Sequence, residues 1–520
     1  MKTIVDFGKR HAAGGWAKYL PAISGFYTTH LGKALSDENF VPADRIPKNF
    51  EFGLQGLNFL KKENSYFHYP YSLYSAGHAE RKLDRCDDRE PMIHKRDKDT
   101  IIVGDSGGFQ IATGVIKLDW AKVKTVEGDK LREEILRYLE HTADWSMTLD
   151  VPAFAALPSL SEKTGLTKFE DCLDVTVHNL NYFMKNRVPG KTKFLNVLSG
   201  SDNGNSKEWY ETVKHFSIPS SVEALGYTKD RTFEGWAFAG INMQNMKTLL
   251  ERLIDLREDD LLKDKDWIHF LGIGRLDWAC YLTSIERQLR KRYNPNINIS
   301  FDAASPFVAA GGYALAYNYN KFSSDQLTYA MGRGLDDKNL KGTCMGMPYQ
   351  SPIMDRLTTG DVCVMGLTDK NKHDKIGKTS WDTTTYALIM AHNVYNHIQA
   401  IQETNRLADI EYSTLKGIHY EKWNESRIQG NKFAPLSKFI PSSIILFNHF
   451  IGVLFDKNKE DAYRLLKDNQ KFIDYISFGD KAYTEYNNLF DHSNTKKSNH
   501  VSTAEEMAGM YDESYPPEDE

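Results

Sequence analysis

Between about residues 101 and 313, short apolar runs alternate with stretches of helical periodicity, and no other feature of the chain narrows its fold as much. The runs cover residues 101–103, 147–149, 194–198, 236–239, 268–271 and 297–301. Between them, Leu131, Ile135 and Leu139 recur every four residues, and Leu173, Val177 and Leu180 fall at i, i+4 and i+7. Met246, Leu249, Leu250 and Leu253 repeat the pattern, as do Trp278, Leu282, Ile285 and Leu289 just before the last run. Each spacing lines apolar side chains along one helix face. Strands and helices in turn imply a parallel sheet covered by helices.

The polar residues decide between an open sheet and a closed barrel. Asp105, Asp150, Ser199, Gly240, Gly272 and Asp302 each stand at or just past the C-terminal end of a run. In a (β/α)8 barrel those ends share one face, where the active site is built. The sequence therefore predicts an α/β fold, a (β/α)8 TIM barrel over residues 1–330, in which earlier runs such as 3–7 and 66–69 leave room for eight strands, although the first hundred residues show no clear pattern. Over 331–504 the pattern becomes mostly helical, with Ala387, Met390, Val394, Ile398 and Ile401 on one face and Leu465, Leu466, Phe472 and Ile473 further on. This region is expected to be a helical extension. Residues 505–520 hold seven acids, no Lys or Arg, and Pro516-Pro517, the composition of a disordered tail.

With 520 residues, 41% of them hydrophobic and 26% charged, the chain falls in the globular class. Its longest apolar run, 444–455, is interrupted by Asn448 and His449 and is shorter than the roughly 20 residues a bilayer requires, so no membrane association is expected. Asp6, Lys9, Arg10 and His11 stand where a secretory signal needs an apolar core, and Cys86, Cys172, Cys280, Cys344 and Cys363 are odd in number and scattered. Both features fit reduced thiols in a cytoplasmic protein. A net charge of −5 offers no global attraction to a polyanion, so a nucleic acid would need a local basic surface. The candidates are residues 81–98 and the group Arg287, Arg290, Lys291 and Arg292, each equally readable as a solvated face.

Val103-Gly104-Asp105-Ser106-Gly107-Gly108-Phe109-Gln110 is the sharpest local signal: an acid at a strand end, a hydroxyl, two glycines that let a ligand approach the backbone, and an aromatic. Alone, Asp-Ser-Gly-Gly is equally a tight turn in which Asp105 caps the next helix, and Asp150 has the same alternative. His269, inside an apolar run, reads as a core residue, and no cluster of histidines at the run ends suggests a metal-dependent hydrolase.

The Asp-Ser-Gly-Gly-Phe-Gln segment resembles the base-pocket motif of the tRNA-guanine transglycosylase family, and the resemblance continues in order through residues 101–306. Leu149-Asp150 is similar to the family's second acid, Asn196-Val197-Leu198-Ser199-Gly200 to its Val-Gln-Gly strand end, and Gly235-Trp236-Ala237-Phe238-Ala239-Gly240 to its base-contacting glycines. Phe270-Leu271-Gly272-Ile273-Gly274 resembles its Met-Gly-Val-Gly strand, and Phe301-Asp302-Ala303-Ala304-Ser305-Pro306 its nucleophile segment. The resemblance implies Asp302 as nucleophile and Asp105 as acid/base partner. It implies a base pocket made by Ser106, Gly107, Phe109, Gln110, Asp150, Ser199, Gly200, Gly240 and Leu271, with Phe109 and Leu271 sandwiching the base. No cofactor is called for.

Two departures bear on the substrate. The tRNA enzymes carry a Cys-x-Cys-x2-Cys and a later His after the nucleophile, whereas here that region has only Cys344 and Cys363, far apart, so no structural zinc is expected. Ser199 also replaces the usual Gln. Absence of the zinc motif, the helical extension and the Ser-Phe-Asp-x-x-Ser-Pro form from Ser300 to Pro306 resemble the phage-encoded branch that places 7-deazaguanines in DNA, where they block restriction. The implied partners are a 7-deazaguanine base and DNA with an unpaired or flipped base, gripped by the extension, with tRNA the alternative polymer. A homodimer is compatible with this reading. From another class stands a non-catalytic nucleic-acid-binding subunit, which the presence of both Asp105 and Asp302 argues against.

Overall fold

The computed structural model describes residues 4–37, 39–369, 379–414 and 437–489. Eight strands form a single parallel sheet: β1 (Lys18–Pro21), β2 (Tyr71–Ser75), β3 (Ile101–Asp105), β4 (Trp145–Met147), β5 (Lys193–Leu198), β6 (Gly235–Phe238), β7 (Trp267–Phe270) and β8 (Asn298–Ala303). Each pairs with its neighbour in sequence from β2 to β8, and β8 returns to β1 with Asp302 opposite Leu20. The remaining seam, between β1 and β2, is closed just past β1. There Ala22 bridges Leu73, and the Ile23 N–H donates to the Leu73 carbonyl at 3.0 Å. The sheet is thus a TIM-barrel-like cylinder with helices around it.

The helices between strands begin where the sequence supplies caps. α1 (Val126–Thr142) starts at Thr125, whose hydroxyl accepts from the Glu127 N–H, and Glu127 and Asp129 put negative charge against the helix's positive end. α2 (Phe169–Asn186) follows β4. α3 (Met246–Glu258) is capped by Asn245, which accepts from the amides of Lys247 and Thr248. α4 (Leu276–Arg292) buries Trp278, Leu282, Ile285 and Leu289, the face its periodicity predicts. Inside the cylinder, Leu20, Leu73, Val103, Trp145, Met147, Leu195, Val197, Ala237 and Trp267 pack together, with Trp145 and Trp267 stacked at 5.3 Å toward the strands' N-terminal ends and Leu73 and Met147 reaching the cavity. That plug leaves the interior open only toward the strands' C-terminal ends.

The first two strands are not where the apolar runs placed them. Val5–Asp6 and Phe67–His68 pair with each other in a small ribbon outside the barrel, and β1 and β2 lie 12 and 3 residues further on. Both barrel strands contain polar residues that hide them from a hydrophobic pattern. Lys18 Nζ donates to Asn298 Oδ1 at 2.8 Å, and the Ser72 hydroxyl donates to the Pro21 carbonyl at 2.6 Å. Satisfied in this way, polar groups are tolerated in a buried sheet.

The C-terminal region is also less separate than expected. A boundary at residue 330 falls inside an antiparallel hairpin, β9 (Leu315–Phe322) with β10 (Leu327–Arg333). Beyond it α5 (Thr383–Thr414) and α6 (Ser442–Phe455) pack on α4, and their buried residues belong to the same core as the barrel helices. Arg287 on α4 and Asp409 on α5 pair at 2.6 Å, and Asp409 also accepts from the Trp16 indole at 2.8 Å. The apolar run at 444–455 is α6, buried through Ile444, Leu446, Phe447, Phe450, Ile451 and Leu454. Among the described residues, no helix is long and apolar enough to cross a membrane. The predicted acidic tail, 505–520, lies outside the described residues.

Because the extension completes the barrel's own core, Leu446→Ala is expected to lower the unfolding free energy by about 2–5 kcal/mol, the usual cost of such a cavity. Urea titration of the full chain measures it. A chain ending at Arg333 exposes the same face and is expected to lose its cooperative thermal transition.

Candidate active site

The open end of the barrel holds a cavity of about 590 Å3, within the range of small-molecule sites, walled by the ends of the strands and the loops that follow them. Asp105 is the last residue of β3, and Asp302 is the penultimate residue of β8. Both line the cavity, as do Phe109, Gln110, Asp150, Ser199, Gly200, Gly240 and Leu271. Ser106 and Gly107 do not. The Ser106 hydroxyl donates to the Thr148 carbonyl at 3.1 Å, tying the β3 and β4 loops together.

The two glycines of the motif have structural reasons to be glycine. Gly107 takes φ 82°, a left-handed conformation that side chains resist. A Cβ on Gly108 would lie 2.4 Å from the Asp150 carbonyl oxygen, so the short helix Gly108–Thr113 can sit against the β4 loop only without one. The close approach at Gly108 is between protein backbones, and Gly108 also lines the cavity, whereas Gly107, expected to admit a ligand, does not. Phe109, at the start of that helix, packs on Phe154 at 5.4 Å and faces the same cavity as Leu271.

Asp302 is 3% exposed and held from behind. Its Oδ1 accepts the Gly272 N–H at 2.8 Å and lies 3.2 Å from His269 Nε2. His269 Nδ1 in turn lies 2.8 Å from the Ser300 hydroxyl, which accepts from the Trp267 indole N–H at 2.7 Å. The arrangement that satisfies every atom puts the imidazole proton on Nε2, donated to Asp302, with Nδ1 accepting the Ser300 O–H. His269 is buried as an apolar run implies, and it is also the group that orients Asp302. A role of this kind leaves no trace in sequence, because β7 and β8 meet only in the barrel.

Ser75, at the end of β2, donates its hydroxyl to Asp105 Oδ2. Burial pushes the Asp105 carboxyl above its ordinary range, opposed by the Ser75 and Gly107 hydrogen bonds and reinforced by the charge of Asp302. Asp150 is also raised, to about 7, by burial and then by the charge of Asp105. Three carboxyl groups with different surroundings therefore face one cavity. Asn242, missed by the motif reading, joins the loops after β5 and β6: its amide donates to the Leu198 and Ser199 carbonyls, and its oxygen accepts from Ser206 at 2.6 Å.

Many basic side chains of the two candidate segments are engaged within the chain. α4 runs back from the C-terminal end of β7, so Arg290, Lys291 and Arg292 in its last turn stand at the opposite end of the barrel. Arg290 pairs with Glu286 at 2.7 Å and Arg292 with Asp456 at 2.8 Å. In the other segment Arg85 pairs with Glu80, Lys95 with Asp88 and Arg96 with Asp144. A scan against models of known protein families finds no match, and a search of curated proteins finds none.

The raised Asp150 carboxyl ties stability to pH. Between about pH 4, near its ordinary value of 3.8, and its folded value of about 7, the folded chain keeps a proton that the unfolded chain has lost. Its contribution to stability therefore falls as pH rises through that window and is level above it. Asp150→Asn removes the ionisable group, so the variant's stability relative to the parent is expected to climb from pH 4 to pH 8 in urea titrations. An offset that does not change with pH would show that Asp150 titrates normally.

Proposed function

We propose that the protein exchanges guanine in a polynucleotide for a 7-deazaguanine base through a covalent aspartyl-glycosyl intermediate. The observation that carries this reading is the pair of unlike carboxyl groups in one apolar-walled cavity: Asp302, oriented by the Gly272 amide and His269, and Asp105, whose hold on its proton is strengthened by burial. Pairs of titratable groups with diverging environments mark acid and base assignments.

The chemistry follows from replacing a base without cutting the strand. His269 and the Gly272 N–H both engage Oδ1 of Asp302, so Oδ2 is the atom offered to C1′. As it attacks, the C1′–O bond forms, the C1′–N9 bond breaks, and Asp105 delivers its proton to the departing guanine. The incoming base then gives its N9 proton to Asp105, and N9 attacks C1′ and expels the Asp302 carboxylate. Two inversions restore the original face of the sugar, as in retaining glycosidases. Asp150, protonated near neutrality, and Ser199 supply hydrogen-bonding groups for the base edge, and Phe109 and Leu271 its flat faces.

The sequence reading favours DNA of the phage branch over tRNA. The cavity lies at the barrel mouth, which a stacked base cannot reach, so the substrate base must be unpaired or flipped out. With many basic side chains of the two candidate segments paired within the chain, groups at the rim such as Lys168, which lines the cavity, are candidates for the grip.

Asp302→Ala is expected to abolish base exchange and the covalent adduct. Asp105→Asn is expected to keep base binding and to slow exchange by about 10²–10⁴-fold, the usual contribution of a general acid. Mass spectrometry of nucleosides from DNA and from tRNA of cells expressing the protein reads both the base and the polymer. Modified nucleoside in tRNA alone would move the protein to the tRNA branch; full activity of Asp302→Ala would remove the mechanism.

A further inference from the structure

We propose a zinc site at the opposite end of the barrel, formed by Cys86, Asp87, His94 and His141. The first three residues belong to the excursion between β2 and β3, in two short helices, Cys86–Arg89 and Pro91–His94. His141 lies in the last turn of α1. Their donor atoms all fall within 4.8 Å of one another. A tetrahedral zinc with ligand distances of about 2.0–2.3 Å holds its donors roughly 3.3–3.8 Å apart, so small side-chain movements complete the cage. Asp87 Oδ1 already lies 2.9 Å from His141 Nε2, 3.6 Å from His94 Nδ1 and 3.6 Å from Cys86 Sγ.

An ordinary ion pair accounts for His141 beside Asp87, both of them partly exposed. It does not account for the buried His94 imidazole directed at the same carboxylate, nor for the buried Cys86 thiol, which faces that carboxylate as well as the Leu83 carbonyl at 3.7 Å. His94 is 3% exposed in its side chain, and its Nε2 has no hydrogen-bond partner. That nitrogen faces Oε2 of the buried Glu90 at 3.5 Å, while Nδ1 faces the cluster. Glu90 is itself held by the hydroxyls of Tyr74 at 2.6 Å and Tyr138 at 2.7 Å. One nitrogen toward the cluster of donors and the other toward an anchored carboxylate is the posture a metal-ligating histidine takes.

The donor set selects the metal. One sulfur, two imidazole nitrogens and one carboxylate oxygen suit zinc, and four protein donors make a closed, structural site. On binding, the Cys86 S–H bond breaks, the S–Zn bond forms and the thiol proton leaves to solvent. Thiolate and carboxylate then balance the dication. The site would clamp the β2–β3 excursion to the end of α1, far from Asp302. The expectation of no zinc rested on spacing after the nucleophile, and these ligands all precede it.

The test uses the full chain, purified with a tag free of histidine and without chelator. Elemental analysis is expected to find about one zinc per chain after equilibration with zinc and dialysis, and a strong chelator is expected to lower the melting temperature. His141→Ala, at a partly exposed position that leaves the fold intact, is expected to lose the metal and the chelator response. Cobalt loading is expected to give a thiolate-to-cobalt charge-transfer band that disappears in Cys86→Ser; if that variant does not fold, His141→Ala decides the matter. No retained zinc in the parent chain, or equal zinc in parent and His141→Ala, would overturn the site.

Discussion

The closure of the sheet between β1 and β2 is the constraint on which the rest of this structure depends. The bridge between Ala22 and Leu73, the hydrogen bond from the Ile23 N–H and that from the Ser72 hydroxyl to the Pro21 carbonyl turn an eight-stranded parallel sheet into a cylinder. Parallel strands in a closed sheet must all point the same way, so every strand's C-terminal residue arrives at one rim. Asp105, from β3, and Asp302, from β8, would stand far apart in an open sheet. Closure brings them into one cavity, close enough for the charge of Asp302 to raise Asp105.

Inside the cylinder the two halves follow different rules. Toward the N-terminal ends it is filled by aliphatic side chains and the stacked pair Trp145 and Trp267. A polar chain rises from it: Trp267 to Ser300, Ser300 to His269, His269 to Asp302. Each member is buried, and each has its partner across the β7–β8 seam. Buried polar groups are costly unless paired, so the chain fixes ring and carboxylate orientations as firmly as packing does. In the proposed exchange, that rigidity is what holds a carboxylate aimed while the strand enters and leaves.

Legibility in the sequence followed local chemistry. The helices were readable because one apolar face repeats at helical spacing, as in α4 through Trp278, Leu282, Ile285 and Leu289. β3 and β5 to β8 were readable as mainly apolar runs, even with Asn196, His269 and Ser300 among them, and Asp105, Ser199, Gly240 and Asp302 at or just past their ends line one cavity. β1 and β2 were not, since Lys18 and Ser72 break the apolar pattern and are satisfied by residues distant in sequence. The change to helices after residue 330 looked like a domain boundary because periodicity carries no record of partners. Only packing shows that α5 and α6 finish the barrel's own core.

The sequence by itself determined what depends on neighbours along the chain: the order of strands and helices, their caps, and the acids at strand ends. Tertiary structure decided what depends on residues meeting from far apart. It turned Ser106 to a backbone carbonyl, gave Gly108 its reason in the Asp150 carbonyl, and set His269 behind Asp302. It also gathered Cys86, Asp87, His94 and His141 from two separate segments. The physical reason is range. Periodicity and capping act within a few residues and are written locally, whereas burial, hydrogen-bond satisfaction and electrostatic coupling exist only once the barrel has closed.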